Sequence, residues 1–218
     1  MTDTQMRREI AEIPGVMRVQ ARIQSDIIFD LLGMMEPGRA RVQSLAIGAE
    51  GRLNDVVIRQ GRTLRPNHPD EVLVHEAFAE AQGLVPGDTI FANINQKRRK
   101  LTIVGVALSP EYTYAIGPGD IIPDDRHFVV MWMDRKALEA AYDLKGAFND
   151  VALTLSLDAS RPAVIRSLDQ LLDRYGGVGA YAREDQISHA FMDSEFQQLR
   201  NLASVLPPIF LGVAAFLL

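Results

Sequence analysis

The side chains able to carry chemistry are few, and their spacing is wrong for most of it. Four histidines, His68, His75, His127 and His189, are scattered along the chain. A zinc-protease helix needs a second histidine four residues after the first, so that both meet one metal, and "VHEAFAE" around His75 has none. There is no cysteine, which excludes disulfides, a thiolate nucleophile and any Cys-ligated zinc or iron–sulfur site. "DIIPDDRH", Asp120 to His127, gathers carboxylates of a type that suits Ca²⁺, but not at the spacing of an EF-hand loop; a solvated turn is the better reading. No G-x-S-x-G elbow surrounds a serine, and Ser109 stands beside Pro110 with no partner indicated. The Gly-rich phosphate loop with its lysine is missing, and "GPGD", Gly117 to Asp120, has no strand feeding a helix, so the chain cannot itself be a P-loop ATPase. No catalytic residue, metal site or cofactor site is expected.

Two stretches are better suited to contact than to catalysis. "QKRRK", Gln96 to Lys100, is the basic block of the chain and lies where a hairpin turns. Lys97, Arg98 and Arg99 there are candidate contacts for an acidic partner or anionic lipid heads; the plainer reading is a solvated tip whose charges block edge pairing. "EYTYAI" places Tyr112 and Tyr114 in a long Pro/Gly-rich loop, where they can anchor a partner or pin the loop to its own domain. The net charge of −5 argues against nucleic acid, since phosphate neutralisation needs a surplus of Lys and Arg.

The elements that must position these residues follow from pattern and punctuation. The composition, 47% hydrophobic and 23% charged over 218 residues, is globular and large enough for a real core. "TQMRREIAEI" has helical spacing and stops at Pro14-Gly15. Strands are expected at "VMRVQARIQ", "RARVQSLAIG", "NDVVIRQGRTL" and "EVLVH", with "SDIIFDLLGM" open between strand and short helix. "EAFAEAQGL" reads as a helix closed by Gly83, and "TIFANI" with "RKLTIVGVAL" as a hairpin. Then come strand "HFVVMWM", helix "DRKALEAAYDL" with Asp134 as N-cap, strand "DVALTLSL", helix "RPAVIRSLDQLLDRYGG" with Pro162 in its first turn, strand "VGAYAR" and a polar-faced helix from Asp185 through Arg200. "EIAEIPGVMRVQARIQSD" and "LLDRYGGVGAYAREDQ" share the plan helix, Gly turn, strand, acid. That repetition predicts a ferredoxin-like split βαβ arrangement. The fold class expected is α+β: a ferredoxin-like α/β part (1–58 and 126–184), an inserted small β-rich subdomain (59–125), and a stem helix running into an apolar tail (185–218).

The tail raises its own question. From Asn201 to Leu218 there are 18 residues without a charge, a little short of the roughly 20 of a membrane span. "IFLGVAAFLL" is apolar on every helical face, which belongs either inside a large protein or in lipid. The start of a truncated transmembrane helix is expected, against a buried core helix as the alternative, with Arg200, Pro207 and Pro208 as the stem and hinge. The N-terminal "MTDTQMRREIAEI" is too charged to be a secretion signal as it stands.

The order of these elements resembles the extracytoplasmic domain of ABC-transporter permeases of the MacB/FtsX type. The resemblance is carried by "IPGV" before a strand (Ile13–Val16), "DEVLVHEAFAEAQGLVPGDTI" (Asp70–Ile90), "RRKLTIVGVALSPEYTYAI" (Arg98–Ile116), "GAFNDVALTL" (Gly146–Leu155), "REDQ" (Arg183–Gln186) and "PPIFLGVAAFLL". It implies a permease of the bacterial inner membrane whose long periplasmic domain, a porter-like α/β part (here 1–58 and 126–184) interrupted by a smaller β-rich part, stands between its first and second transmembrane helices. It also implies a separate P-loop ATPase subunit, a dimeric permease, and a periplasmic adaptor or lipoprotein among the partners. The first transmembrane helix has no counterpart and the second is cut short, so a fragment is expected. Asp185, Asp193 and Glu195 outnumber Arg200 before the tail, and cytoplasmic flanks are rich in Lys and Arg, so this flank fits the outer side. A membrane-anchored extracytoplasmic binding module without an ATPase is the alternative.

Overall fold

In the computed structural model, which describes residues 3–48 and 52–217, helix α1 (Asp3–Ala11) buries Met6 and Ile10, one helical turn apart on a single face. Pro14-Gly15 then turns the chain into β1 (Val16–Arg22), which pairs antiparallel with β9 (Asp150–Leu155). Those two strands make a small sheet of their own. Between them run β2 (Gln24–Asp30), β3 (Gly38–Leu45), β4 (Val57–Gly61), β5 (Glu71–His75), α2 (Glu76–Gln82), β6 (Thr89–Ile94), β7 (Lys97–Leu108), β8 (Phe128–Asp134) and α3 (Arg135–Tyr142). After β9 come α4 (Arg161–Leu172) and, in a second compact unit of residues 181–218, α5 (Ile187–Leu217).

The large sheet has the order β4-β7-β5-β8-β3-β2-β6, and β6 also pairs with β7. Six strands thus close into a ring, with β4 flanking β7 outside it. Alternation along the strands splits the core into two faces. Met131 and Met133 of β8 join Phe29, Val42, Val74 and Leu101 on one face, while Val130 and Trp132 join Leu73 and Val104 on the other. β8 is therefore buried on both faces. Phe78 of α2 meets Phe29 edge to face with ring centroids 5.4 Å apart, a contact worth about 1 kcal/mol beyond the area it buries. A third cluster packs α1 and α4, through Met6, Ile10, Val164 and Leu168, on the small sheet.

Local punctuation behaves as read. Gly83 ends α2 in the left-handed conformation and its N–H reaches the carbonyls of Ala79 and Glu80. Asp134 holds the N-cap position of α3, although its side chain makes no capping bond. "SDIIFDLLGM" resolves into strand, as β2.

The strand pairing draws the division elsewhere than at 59 and 125. β2, β3 and β8, expected in the porter-like part, pair into the same sheet as β5 to β7. What stands apart is the small sheet with α1 and α4. Pro/Gly-rich segments mark where the chain turns, not which strands it will meet, and the parallel pairing from Arg39↔Phe128 to Leu45↔Asp134 is a long-range choice. "VGAYAR" forms no strand: Val178 and Tyr181 are exposed, and residues 178–182 pair with nothing as β-structure. The second half of the ferredoxin-like repetition is thus absent among the described residues.

Candidate functional site

The loop from Ser109 to His127 is fixed to the first unit residue by residue. Ser109 Oγ donates to the Asn54 carbonyl (3.0 Å) and accepts the Glu111 amide. Tyr112, expected as a partner anchor or a pin, is a pin: it is 8% exposed, its ring lies 6.4 Å from Trp132, and its hydroxyl donates to Gln24 Oε1 at 3.2 Å. Burial first, then Glu111, pushes its phenol up, so it stays a donor. As a partner contact Tyr112 is therefore corrected, because its apolar ring fills a core site that the face of β8 leaves open. Tyr114 is half-buried in the same loop.

His75 ties the loop to the sheet. Its Nδ1 accepts the Ala77 amide as the N-cap of α2, so its Nε2 carries the proton and donates to the Tyr112 carbonyl at 2.7 Å. Burial holds this imidazole below its ordinary value, against the opposing pull of that carbonyl. A neutral histidine in this place is a structural link.

Arg22, at the end of β1, bonds Asp150 of β9 through Nε at 2.5 Å and Glu111 of the loop through both terminal nitrogens. Burial, the largest influence, works against its charge, but Asp150 and Glu111 outweigh it and hold the guanidinium above its ordinary value. The three residues join the small sheet to the loop. The signal was in the sequence: Arg18, Gln20 and Arg22 alternate along one face of β1.

Two of the three acids of "DIIPDDRH" are similarly occupied. Asp120 pairs with Arg39 at 2.6 Å, and Asp124 accepts from His127 Nδ1 and from the backbone amides of Arg126 and His127. Among the described residues no group of His, Asp and Glu could hold a metal ion.

The basic block forms the tip of the β6–β7 hairpin, where Asn95 and Gln96 both take positive φ, the backbone of a tight two-residue turn. Lys97 and Arg98 are exposed and Arg99 half-buried. Arg98 reaches Asp30 at 3.4 Å and stacks over Phe91, 4.9 Å from the ring centroid. β5 and β4 begin pairing with β7 only from Thr102 onward, so these charges sit where one edge of β7 is bare, as an edge guard would.

In the second unit, α5 is a single helix of 31 residues. Helix continues through Pro207 and Pro208, expected as part of the stem and hinge: a φ near −65° suits a helix, while each proline gives up its N–H and crowds the carbonyl four residues back. The carbonyls of Ala203 and Ser204, four residues back, thereby lose their helical donors. Arg200 is exposed, and its carbonyl accepts the Ser204 hydroxyl at 2.9 Å. Leu199, Leu202, Ile209, Phe210, Leu211 and Phe216 are exposed apolar side chains of this helix. Among the described residues no helix is long and apolar enough to cross a membrane.

No family model matches the chain, and no curated protein matches it. Among solved structures it is similar to the extracellular domain of the noncanonic ABC-type transporter YknZ from Gram-positive bacteria (TM-score 0.48, 15% identity, covering 83% of this chain and 87% of that one). It is also similar to the periplasmic region of MacB from Actinobacillus actinomycetemcomitans (TM-score 0.45, 13% identity, covering 80% of this chain and 74% of that one).

Proposed function

We propose that the chain is the extracytoplasmic domain of an ABC-type permease subunit of the bacterial inner membrane. In this reading ATP binding and hydrolysis on a separate P-loop subunit move the membrane helices. The C-terminal stem carries that movement into the domain, which exports or extracts a substrate.

The observation that supports it most is α5: one helix of 31 residues whose last charge is Arg200 and whose remaining residues are uncharged and mostly apolar. At about 1.5 Å per residue such a helix is roughly 45 Å long, and its internal hydrogen bonds make it stiff enough to pass displacement along its axis. Pro207 and Pro208 remove two of those bonds and place a soft point between the polar half and the apolar half. Lys97, Arg98, Arg99 and Tyr114 are assigned to contact with a periplasmic adaptor or lipoprotein, and the permease to a dimer.

The test is affinity capture of the protein from detergent-solubilised membranes of cells that carry its native gene. A P-loop ATPase is expected in the eluate in stoichiometric amount. An eluate free of any ATPase would instead leave an anchored binding module.

A further inference from the structure

Where β1 of the small sheet passes β3 of the large one, the first unit opens into a cleft of about 360 Å³. Its walls carry Arg7 of α1, Arg18 and Gln20 of β1, Ser44 of β3, Arg52 of the following loop and Arg135 of α3. Four guanidiniums thus border one small space with no carboxylate among the lining residues, in a chain whose net charge is −5.

Two of the four are held in place by partners behind them. Arg52 is clamped by both oxygens of Asp55, at 2.9 and 3.0 Å, and donates to the Ala46 carbonyl at 2.7 Å. That uses three of the five N–H groups of a guanidinium and leaves two. Arg135 is fixed by Glu139 at 2.8 Å and by the Ala21 carbonyl at 2.6 Å. Gln20 accepts the Leu53 amide and so pins the loop carrying Arg52 to β1. Arg18 is different: it is exposed, and among the described residues it has no ion-pair or hydrogen-bond partner. The arrangement is two oriented guanidiniums, Arg135 also donating to the Ala147 carbonyl at 3.3 Å, with the exposed Arg18 beside them.

Asp55 and Glu139 balance the charges of Arg52 and Arg135 from behind, and the charge of Arg18, which has no such counterion, attracts an anion into the cleft. Guanidinium forks match the oxygens of phosphate in pairs, several of them suit the oxygens of a phosphate group better than those of a single carboxylate, and the volume is that of a small-ligand site. We propose that this cleft binds a phosphate-bearing small anion, whether a soluble organic phosphate or the headgroup of a phospholipid.

The test uses the whole chain at low ionic strength, where such contacts are least screened. Glycerol 3-phosphate is titrated by calorimetry, and vesicles of phosphatidylcholine, with or without phosphatidylglycerol, are sedimented with the protein. Wild type is expected to bind glycerol 3-phosphate, Arg18→Ala to bind it about tenfold more weakly or worse, as loss of a charge-assisted bond implies, and Arg59→Ala, whose partner is Glu76 on another surface, to bind as wild type does. Because α5 is unchanged in every variant, apolar binding to vesicles cancels in the comparison. Dependence on Arg18 only with phosphatidylglycerol vesicles would assign the phosphate to lipid; dependence with glycerol 3-phosphate would assign it to a soluble ligand. Equal behaviour of wild type and Arg18→Ala in both assays, or no binding in either, would overturn the proposal. Arg18 makes no bond whose loss threatens folding, and matching thermal melts of the variants check this.

Discussion

Glu71 opens β5 with its carboxylate 7% exposed, and it gathers Arg62 through both terminal nitrogens, at 2.7 and 2.9 Å, together with the backbone amide and side chain of Arg65. This one side chain fixes the connection from β4 to β5. The hydrogen bond from Arg62, against the opposing effect of burial and with help from Arg65, holds its pKa at about 2, below an ordinary value of 4.5. A carboxylate whose folded-state pKa is depressed stabilises the fold fully above its unfolded pKa and loses that contribution as pH falls through the folded one. The Glu71 contribution is therefore complete above about pH 4.5 and disappears between there and about pH 2. Glu71→Gln is expected to lower stability by about 1–3 kcal/mol at pH 7 and to flatten the acid limb of a denaturation series. Urea midpoints for both proteins at pH 7 and pH 3 measure this. An identical loss at the two pH values would remove Glu71 from the account of acid sensitivity. The residues that make the arginine cleft and the Arg22 triad were individually visible in the sequence, but their convergence was not. Arg22 and Glu111 lie 89 residues apart and Arg22 and Asp150 lie 128 apart, and side-chain period along a single strand says only which face a residue takes.

At the scale of elements, β7 is the strand that the rest depend on, since it pairs with β4, β5 and β6. Gly105 lies at its crossing point. A Cβ there would stand 2.4 Å from the Arg62 carbonyl oxygen and 3.1 Å from that of Gln60, both backbone atoms. Registers shift beside it on both neighbouring strands, between Ile58 and Gln60 and between Val72 and Leu73, as a bulged strand requires. Gly105→Ala is expected to cost about 1–3 kcal/mol and to expose the amides of β4 before those of β8; hydrogen exchange read by mass spectrometry distinguishes this from a uniform loss. Elements set by neighbours in sequence were legible: the hairpin at Asn95-Gln96, the stop of α2 at Gly83, and α4 with Pro162 in its first turn. Elements set by distant partners were not. "VGAYAR" has the composition of a strand, yet strand structure needs a second edge to bond to, and nothing in a single segment says whether one will arrive. The same limit misplaced the border at residue 59, where composition changes but hydrogen bonding does not. Tyr112 follows the same rule, since the choice between anchor and pin depended on Gln24, His75 and Trp132, none of them its neighbour in the chain.

On the scale of the molecule, all three apolar clusters are built from residues of the first unit, Met6 through Ala180, and none includes a residue of α5. Leu199, Leu202, Ile209, Phe210, Leu211 and Phe216 of α5 are instead exposed. A helix that belonged to the core would have the reverse pattern, because burying a Leu, Ile or Phe side chain is worth roughly 1.5–3 kcal/mol each. Removing Leu206–Leu218 is therefore expected to leave the unfolding temperature of the first unit within about 2 °C of the parent, where a loss of even 1 kcal/mol would move a domain of this size by about 2–4 °C. It is also expected to raise the concentration at which the protein remains monomeric, since exposed apolar patches drive association. Scanning calorimetry at low concentration measures the first effect and sedimentation velocity across a concentration series the second. Loss of the cooperative transition on truncation would restore α5 to the core, as a buried helix, and would take with it the stem that the proposed permease function requires.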